Sequence, residues 1–198
     1  GAFRNALIIG AEKLSAFVDW TDRNTCVLFG DGAGAAVIVP SENGGGRVLS
    51  SQLGTDGAQA ELLNIPGGGS ACPITVDNAP EKLATLAMQG REVFKHAVNA
   101  MKTASIDGIT AAGLTPQDIK LLIPHQANLR IIDAIVERLE VSRDDVFINL
   151  DKYGNTSAAA VAIALDEAHR EGRIQRGDKI LLVAFGAGLT WASAVIEW

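Results

Sequence analysis

The alternation of apolar runs and polar stops along the chain predicts an α/β protein. Apolar runs at residues 5–10, 25–29, 35–39, 48–53, 119–123, 146–150, 179–185 and 191–198 read as strands. In Asn5 to Gly10 the apolar residues are consecutive, as in a strand buried on both faces of a parallel sheet. Helical periodicity separates the runs. One pattern extends from Glu81 to about Ala112, with Val93, Phe94, Ala97, Val98 and Met101 on one face, and Gly90 interrupts it. A second runs from Asn128 to Leu139. A third runs from Ser157 to Arg170, capped by Asn155 or Thr156 and closed by Gly172. Thr115-Pro116-Gln117-Asp118 is a capping box with proline at the first helical position.

Two glycine-rich stretches need assignment. Gly30-Asp31-Gly32-Ala33-Gly34 resembles a phosphate loop, but such a loop opens a helix and usually carries a lysine. The following Ala35-Ala36-Val37-Ile38-Val39 looks like a strand, so the expectation is a hairpin turn. The polar loop from Ser41 to Gly46 is the best boundary, dividing the chain into residues 1–45 and 46–198. Residues 54–80 form a long irregular connection around Pro66-Gly67-Gly68-Gly69, more often functional than idle. There is also a faint echo. Residues 5–10 resemble 179–184, and 35–39 resemble 193–197, as in a duplicated unit. The second copy has a helix before its strand, so the helix matching it in the first copy is expected upstream of Gly1.

Composition narrows the class. The chain of 198 residues is 47% hydrophobic, which suits a large subunit interface. A net charge of −6 argues against non-specific nucleic-acid binding. No apolar run has the roughly 20 residues that span a bilayer. Two cysteines, Cys26 and Cys72, do not make a disulfide framework, so a reduced, cytoplasmic setting is expected. No metal site is expected from three scattered histidines and two distant cysteines.

The candidate chemistry centres on Leu121-Leu122-Ile123-Pro124-His125, where a buried run stops at proline and histidine. His125 is either a hydrogen-bonded structural residue or a functional group at a strand's C-terminal end. His96 and His169 lie in helical patterns without partner spacing and read as packing or surface residues. Asn155 occupies a second polar stop, Gly154-Asn155-Thr156-Ser157. A neutral imidazole and a carboxamide are both N–H donors. Aimed at one carbonyl oxygen, they form an oxyanion hole for an enolate next to a thioester, each donor contributing about 3 kcal/mol. Backbone N–H groups in Gly186-Ala187-Gly188 can make a second hole. No activated serine, threonine or cysteine stands out.

Four motifs in order, Phe29-Gly-Asp-Gly-Ala-Gly-Ala-Ala36, Ile123-Pro-His-Gln-Ala-Asn-Leu-Arg130, Gly154-Asn-Thr-Ser-Ala-Ala159 and Phe185-Gly-Ala-Gly-Leu-Thr-Trp191, make the chain resemble the β-ketoacyl-[acyl-carrier-protein] synthase III family over its whole length. The resemblance implies a thiolase-like fold, with a mixed five-stranded sheet, helices on both faces, and the last strands of a preceding duplicated half. It implies decarboxylative condensation of an acyl-CoA primer with malonyl-acyl carrier protein, without a cofactor, in a homodimer. His125 and Asn155 match the family's catalytic pair, and Ala187 the oxyanion backbone position, where close relatives often have glycine. Asn128 and Arg130 match the entrance for coenzyme A or carrier protein, and Gly90, Met88 and Phe94 the tunnel wall. For Met88 and Phe94, plain core packing is an equal alternative.

One departure matters. The family's nucleophile is a cysteine at a helix start, and neither Cys26, read within a strand, nor Cys72, in the long loop, matches it. The expectation is therefore a C-terminal portion that cannot condense alone. Two alternatives are a related condensing enzyme of secondary metabolism and a non-catalytic acyl-CoA or carrier-protein binding subunit. The second has no need of both His125 and Asn155.

Overall fold

A computed structural model describes residues 3–41 and 46–198. The boundary loop expected at 41–46 therefore falls largely outside the described residues. Strand β1 (Ala6–Lys13) pairs antiparallel with β2 (Asp31–Ile38) in continuous register from Ala6↔Ile38 to Lys13↔Asp31. A separate mixed sheet has the order β3-β8-β7-β6, from β3 (Arg47–Thr55), β6 (Leu121–Pro124), β7 (Lys179–Gly186) and β8 (Thr190–Glu197). Only β6 and β7 run parallel. A small ribbon joins β4 (Leu63–Asn64) to β5 (Ala87–Met88). The helices are α1 (Gly90–Ala111), α2 (Leu129–Leu139), α3 (Leu150–Tyr153) and α4 (Ala160–Arg170).

The layers follow from the side-chain pattern. In β6, Leu122 faces α1 and α2 and joins Val98, Met101, Ile132, Ile135, Leu181 and Val183 in the main core. Leu121 and Ile123 point the other way, onto Ala164 and Ala168 of α4. That helix lies between the mixed sheet and the β1–β2 pair. Its alanines make it thin, and glycines on β1 and β2 let it lie close. A Cβ at Gly10 would sit 2.2 Å from the Ala158 carbonyl oxygen, and one at Gly34, its register partner, 2.6 Å from the Ala162 Cβ. The opposite face of β1–β2 is open: Leu7, Ile9 and Val37 are each more than 60% exposed. The segments that echo one another in sequence lie in two antiparallel pairs, β1–β2 and β7–β8.

Several expectations are corrected. Residues 5–10 are not buried on both faces, since one face of β1 is open and its partner is antiparallel. Residues 25–29 are not a strand but a run of turns. The Asp22 carboxylate organises it, accepting from the Asn24 N–H (3.0 Å) and the Thr25 hydroxyl (2.9 Å), and this local bonding overrides the strand propensity. Cys26 thus lies in a turn. Residues 30–34 are not a hairpin turn, because Gly32 and Gly34 lie within β2. Their role is close approach to α4.

The first long helix begins at Gly90 rather than Glu81. The segment before it is held by bonds to distant backbone, from Leu86 N–H to Phe17 O (2.8 Å) and from Gln89 N–H to Leu62 O (2.9 Å). Gly90 opens the helix and does not interrupt it. Among the described residues the mixed sheet has four strands, where five were expected. The run at 146–150 keeps one parallel bridge, Leu122↔Val146, and is then diverted by side-chain bonds described below. The capping box is present: Thr115 and Asp118 bond reciprocally around a short 3-10 turn.

Packing this close leaves no space for a methyl group at residue 10. Gly10→Ala is expected to lower stability by about 1–3 kcal/mol, measured by urea denaturation.

Candidate active site

His125 is positioned by the parallel ladder. Pro124 pairs with Val183, and the His125 N–H donates to the Val183 carbonyl at 2.7 Å, extending β6 by one bond. The His125 carbonyl then accepts from the Ala127 N–H at 2.9 Å, which turns the chain toward α2. His125 is 8% exposed, and burial pushes its pKa down from 6.5 to about 4. At neutral pH it is an uncharged imidazole with one N–H donor and one acceptor. No side chain or backbone group among the described residues bonds its ring nitrogens, so the donor remains for a ligand.

Asn155 is fixed by a clasp. Its N–H donates to Leu28 O (2.8 Å), and its carbonyl accepts from the Gly30 N–H (2.9 Å). Glycines make the contact possible. A Cβ at Gly30 would lie 2.1 Å from Tyr153 O, and Gly154 has a φ of 67°, in the left-handed region. The Asn155 Oδ1 accepts from the Ser157 N–H at 2.9 Å, closing the turn that leads into α4. Its acceptor is thereby engaged, and the NH2 group is the end left for a ligand. Ser157, also at positive φ, anchors the turn to β1 through Glu12 (3.1 Å).

Topology places these groups at one end of the molecule. The crossover from β6 to β7 is parallel, so α4 runs back against the strands. Its C-terminal end packs by His169 on Trp198 (ring centroids 5.1 Å apart), beside the start of β7, where Trp198 N–H bonds Asp178 O. Its N-terminal end, with Asn155, therefore lies where β6 ends in His125 and β7 ends in Ala187. Ala187 is exposed in the β7–β8 turn, its carbonyl accepting from the Thr190 hydroxyl at 3.1 Å.

The remaining predicted residues lie on or beside helices that begin at the same end. Asn128 caps α2, its Oδ1 accepting from the Arg130 N–H (2.9 Å), and Arg130 is exposed. Helix α1 also starts at this end, since His96 and Ala100 line a cavity with Phe185 and Leu189, while Gly108 packs far along on Ser193. Gly90 is its first residue, 3.6 Å from the Met88 Cε by its would-be Cβ, and Met88 and Phe94 both pack against the main core. Cys26 begins no helix, and Cys72 is in the loop bonded to Gly68 and Gly69. Among the described residues no cluster of three or more metal-ligating side chains occurs, and no helix is long and apolar enough to cross a membrane.

Sequence reasoning missed three residues around the pair. Gln126 and Asn149 are buried, and Glu167 on α4 is mostly covered. The hydrogen bonds from the Tyr153 hydroxyl, Asn149 and Lys152 hold the Glu167 carboxyl below its ordinary pKa. An amide directly after a strand-ending histidine was the available signal.

Two sheets enclosing an alanine-rich helix, with donors gathered at one end, define a thiolase-like scaffold. Two family profiles match, described as 3-oxoacyl-[acyl-carrier-protein (ACP)] synthase III over residues 1–57 and its C-terminal part over residues 109–198. The chain belongs to the 3-oxoacyl-[acyl-carrier-protein] synthase III family, a family of acyltransferases. It is 59% identical to a β-ketoacyl-[acyl-carrier-protein] synthase III of Caldanaerobacter subterraneus subsp. tengcongensis across its whole length. Among solved structures, the synthase III of Thermus thermophilus is 50% identical with a TM-score of 0.88, and that of Aquifex aeolicus VF5 46% identical with the same score. Each alignment covers 98% of this chain and 59% or 58%, respectively, of the other. The chain spans 60% of the length of the Caldanaerobacter relative.

The depressed pKa of His125 has a consequence for stability. Between pH 6.5 and about 4 the unfolded chain binds a proton that the folded chain refuses, so stability falls on acidification across that window. The loss attributable to this ring is about 3 kcal/mol. In His125→Asn that part of the pH dependence is expected to vanish, measured by denaturation at pH values across the window.

Proposed function

We propose that the full-length gene product condenses an acyl-CoA primer with malonyl-acyl carrier protein, the first carbon–carbon bond formation of fatty acid synthesis. The observation that carries this reading is the pair of uncharged N–H donors, His125 and Asn155, held at one end of the sheets with their backbones fixed and their donors uncommitted. The family membership and the names of the relatives support it.

In the first step the malonyl carboxylate leaves as CO2, and the electron pair of the broken bond flows into the thioester carbonyl, making an enolate. The ring N–H of His125 and the NH2 of Asn155 donate to that oxygen, where the negative charge develops. The enolate carbon then attacks the carbonyl of an acyl thioester, and the thiolate leaves. That acyl group is carried on a cysteine that this chain does not supply, since neither Cys26 nor Cys72 starts a helix. The N–H of Ala187 serves the oxyanion of this second step. No cofactor enters either step.

The remaining assignments are of the same kind. Arg130, exposed next to the Asn128 cap, receives the phosphate of the pantetheine arm on coenzyme A or acidic carrier protein. Met88, Gly90 and Phe94 line the acyl passage. Residues 1–45 form the end of one thiolase-like half and 46–198 the second half, in a cytoplasmic homodimer. A purely binding subunit gains nothing from placing two donors at one oxygen.

His125→Ala and Asn155→Ala in the full-length gene product are each expected to lower CO2 release from malonyl-carrier protein by about 10²–10³-fold. Rates within a few-fold of the unaltered protein in both variants would overturn the reading.

A further inference from the structure

We propose that Gln126, Asn149 and Glu167 form a brace that sets the spacing between His125 and Asn155, acting as positioning residues for decarboxylation. The proposal rests on the function read above. It starts from a continuous line of hydrogen bonds between the two polar stops. The Gln126 Nε2 donates to Pro124 O (2.7 Å) and to Phe147 O (3.3 Å). Its Oε1 accepts from the Asn149 N–H (3.1 Å). This single amide bonds both the end of β6 and the segment 147–149, and it occupies the edge that a fifth strand would have used. The Asn149 Nδ2 then donates to the Glu167 Oε2 (2.9 Å), tying the start of α3 to α4. Glu167 also accepts from the Tyr153 hydroxyl and from the Lys152 Nζ (3.4 Å), both on α3. Helix α3 is closed by the Gly154 N–H on Leu150 O (2.8 Å), and the next residue is Asn155.

The central members of the line are buried, Gln126 at 1% and Asn149 at 2% exposure. His125 stands one residue before one end of the line and Asn155 two residues after the other. Two N–H donors serve one oxygen only when both lie within about 2.7–3.1 Å of it. A displacement of about 1 Å in such a site costs about 10²-fold in rate. The main core and the β1–β2 clasp fix each donor on its own element, whereas the brace fixes one relative to the other.

The test uses malonyl-carrier protein decarboxylation by the full-length gene product. Asn149→Asp sets a carboxylate against Glu167 and is expected to lower kcat about tenfold or more, with KM within about threefold. Glu167→Gln alone has a smaller effect. In the double variant the amide introduced at 167 donates to the carboxylate introduced at 149, so the bond re-forms with reversed polarity. Its kcat is expected to return to within about threefold of the unaltered protein. A folded N149D with undiminished kcat, or a folded double variant without recovery, would overturn the brace. If N149D does not fold, Tyr153→Phe takes its place. This side chain is 40% exposed, and losing its hydroxyl is expected to lower kcat about threefold at constant KM. An unchanged kcat there overturns the proposal. His125→Ala is the control: if it too leaves the rate intact, the function itself fails, and if it alone abolishes the rate, only the brace fails.

Discussion

The contact on which the rest of the structure depends is the close seating of α4 between two sheets. Its alanines, Ala160, Ala164 and Ala168, are fully buried, and glycines face it on β1 and β2. Larger residues on either side would push the layers apart. The turn that carries Asn155 is the entry to this helix and bonds to residues 28 and 30 on the far side. Layer spacing and amide position are therefore one constraint.

His125 and Asn155 share a property that a charged pair would lack. Burial keeps the imidazole neutral, and a carboxamide has no charge to lose. Neither donor therefore brings an ionic charge into the site. In the proposed reaction, stabilisation would then fall on the oxygen where charge appears, which is the condition for raising a rate rather than merely tightening binding.

Much of this was legible in the sequence, for physical reasons. Strands β6, β7 and β8 and helix α2 have strong periodicity and are packed by it. His125 and Asn155 stand out in the sequence because both interrupt apolar runs with groups of defined hydrogen-bonding character. The failures share a cause. At Asp22 and at Gln126 a side chain takes over backbone hydrogen bonds, turning the predicted strand at 25–29 mostly into turns and diverting the one at 146–150 after a single bridge. Residues 81–89 fail similarly, bonding to Phe17 and Leu62 instead of to their own helix. Gly32 and Gly34 suggested a turn because proximity to a helix 130 residues away leaves no mark in a local window. The brace was invisible for the same reason, since Glu167 carries no sign that it meets Asn149.

The clasp at Asn155 has a bearing on how the protein acquires its shape. It joins Leu28 and Gly30 to a residue about 125 positions later, and the adjoining Glu12–Ser157 contact spans 145. The packing of α2 on α1 is assembled from much nearer segments. Closures over such separations carry the larger loop entropy. Fixing the asparagine amide thus costs more loop entropy than packing α2 on α1, and a chain that has collapsed around its core without that closure has not yet set the amide in place.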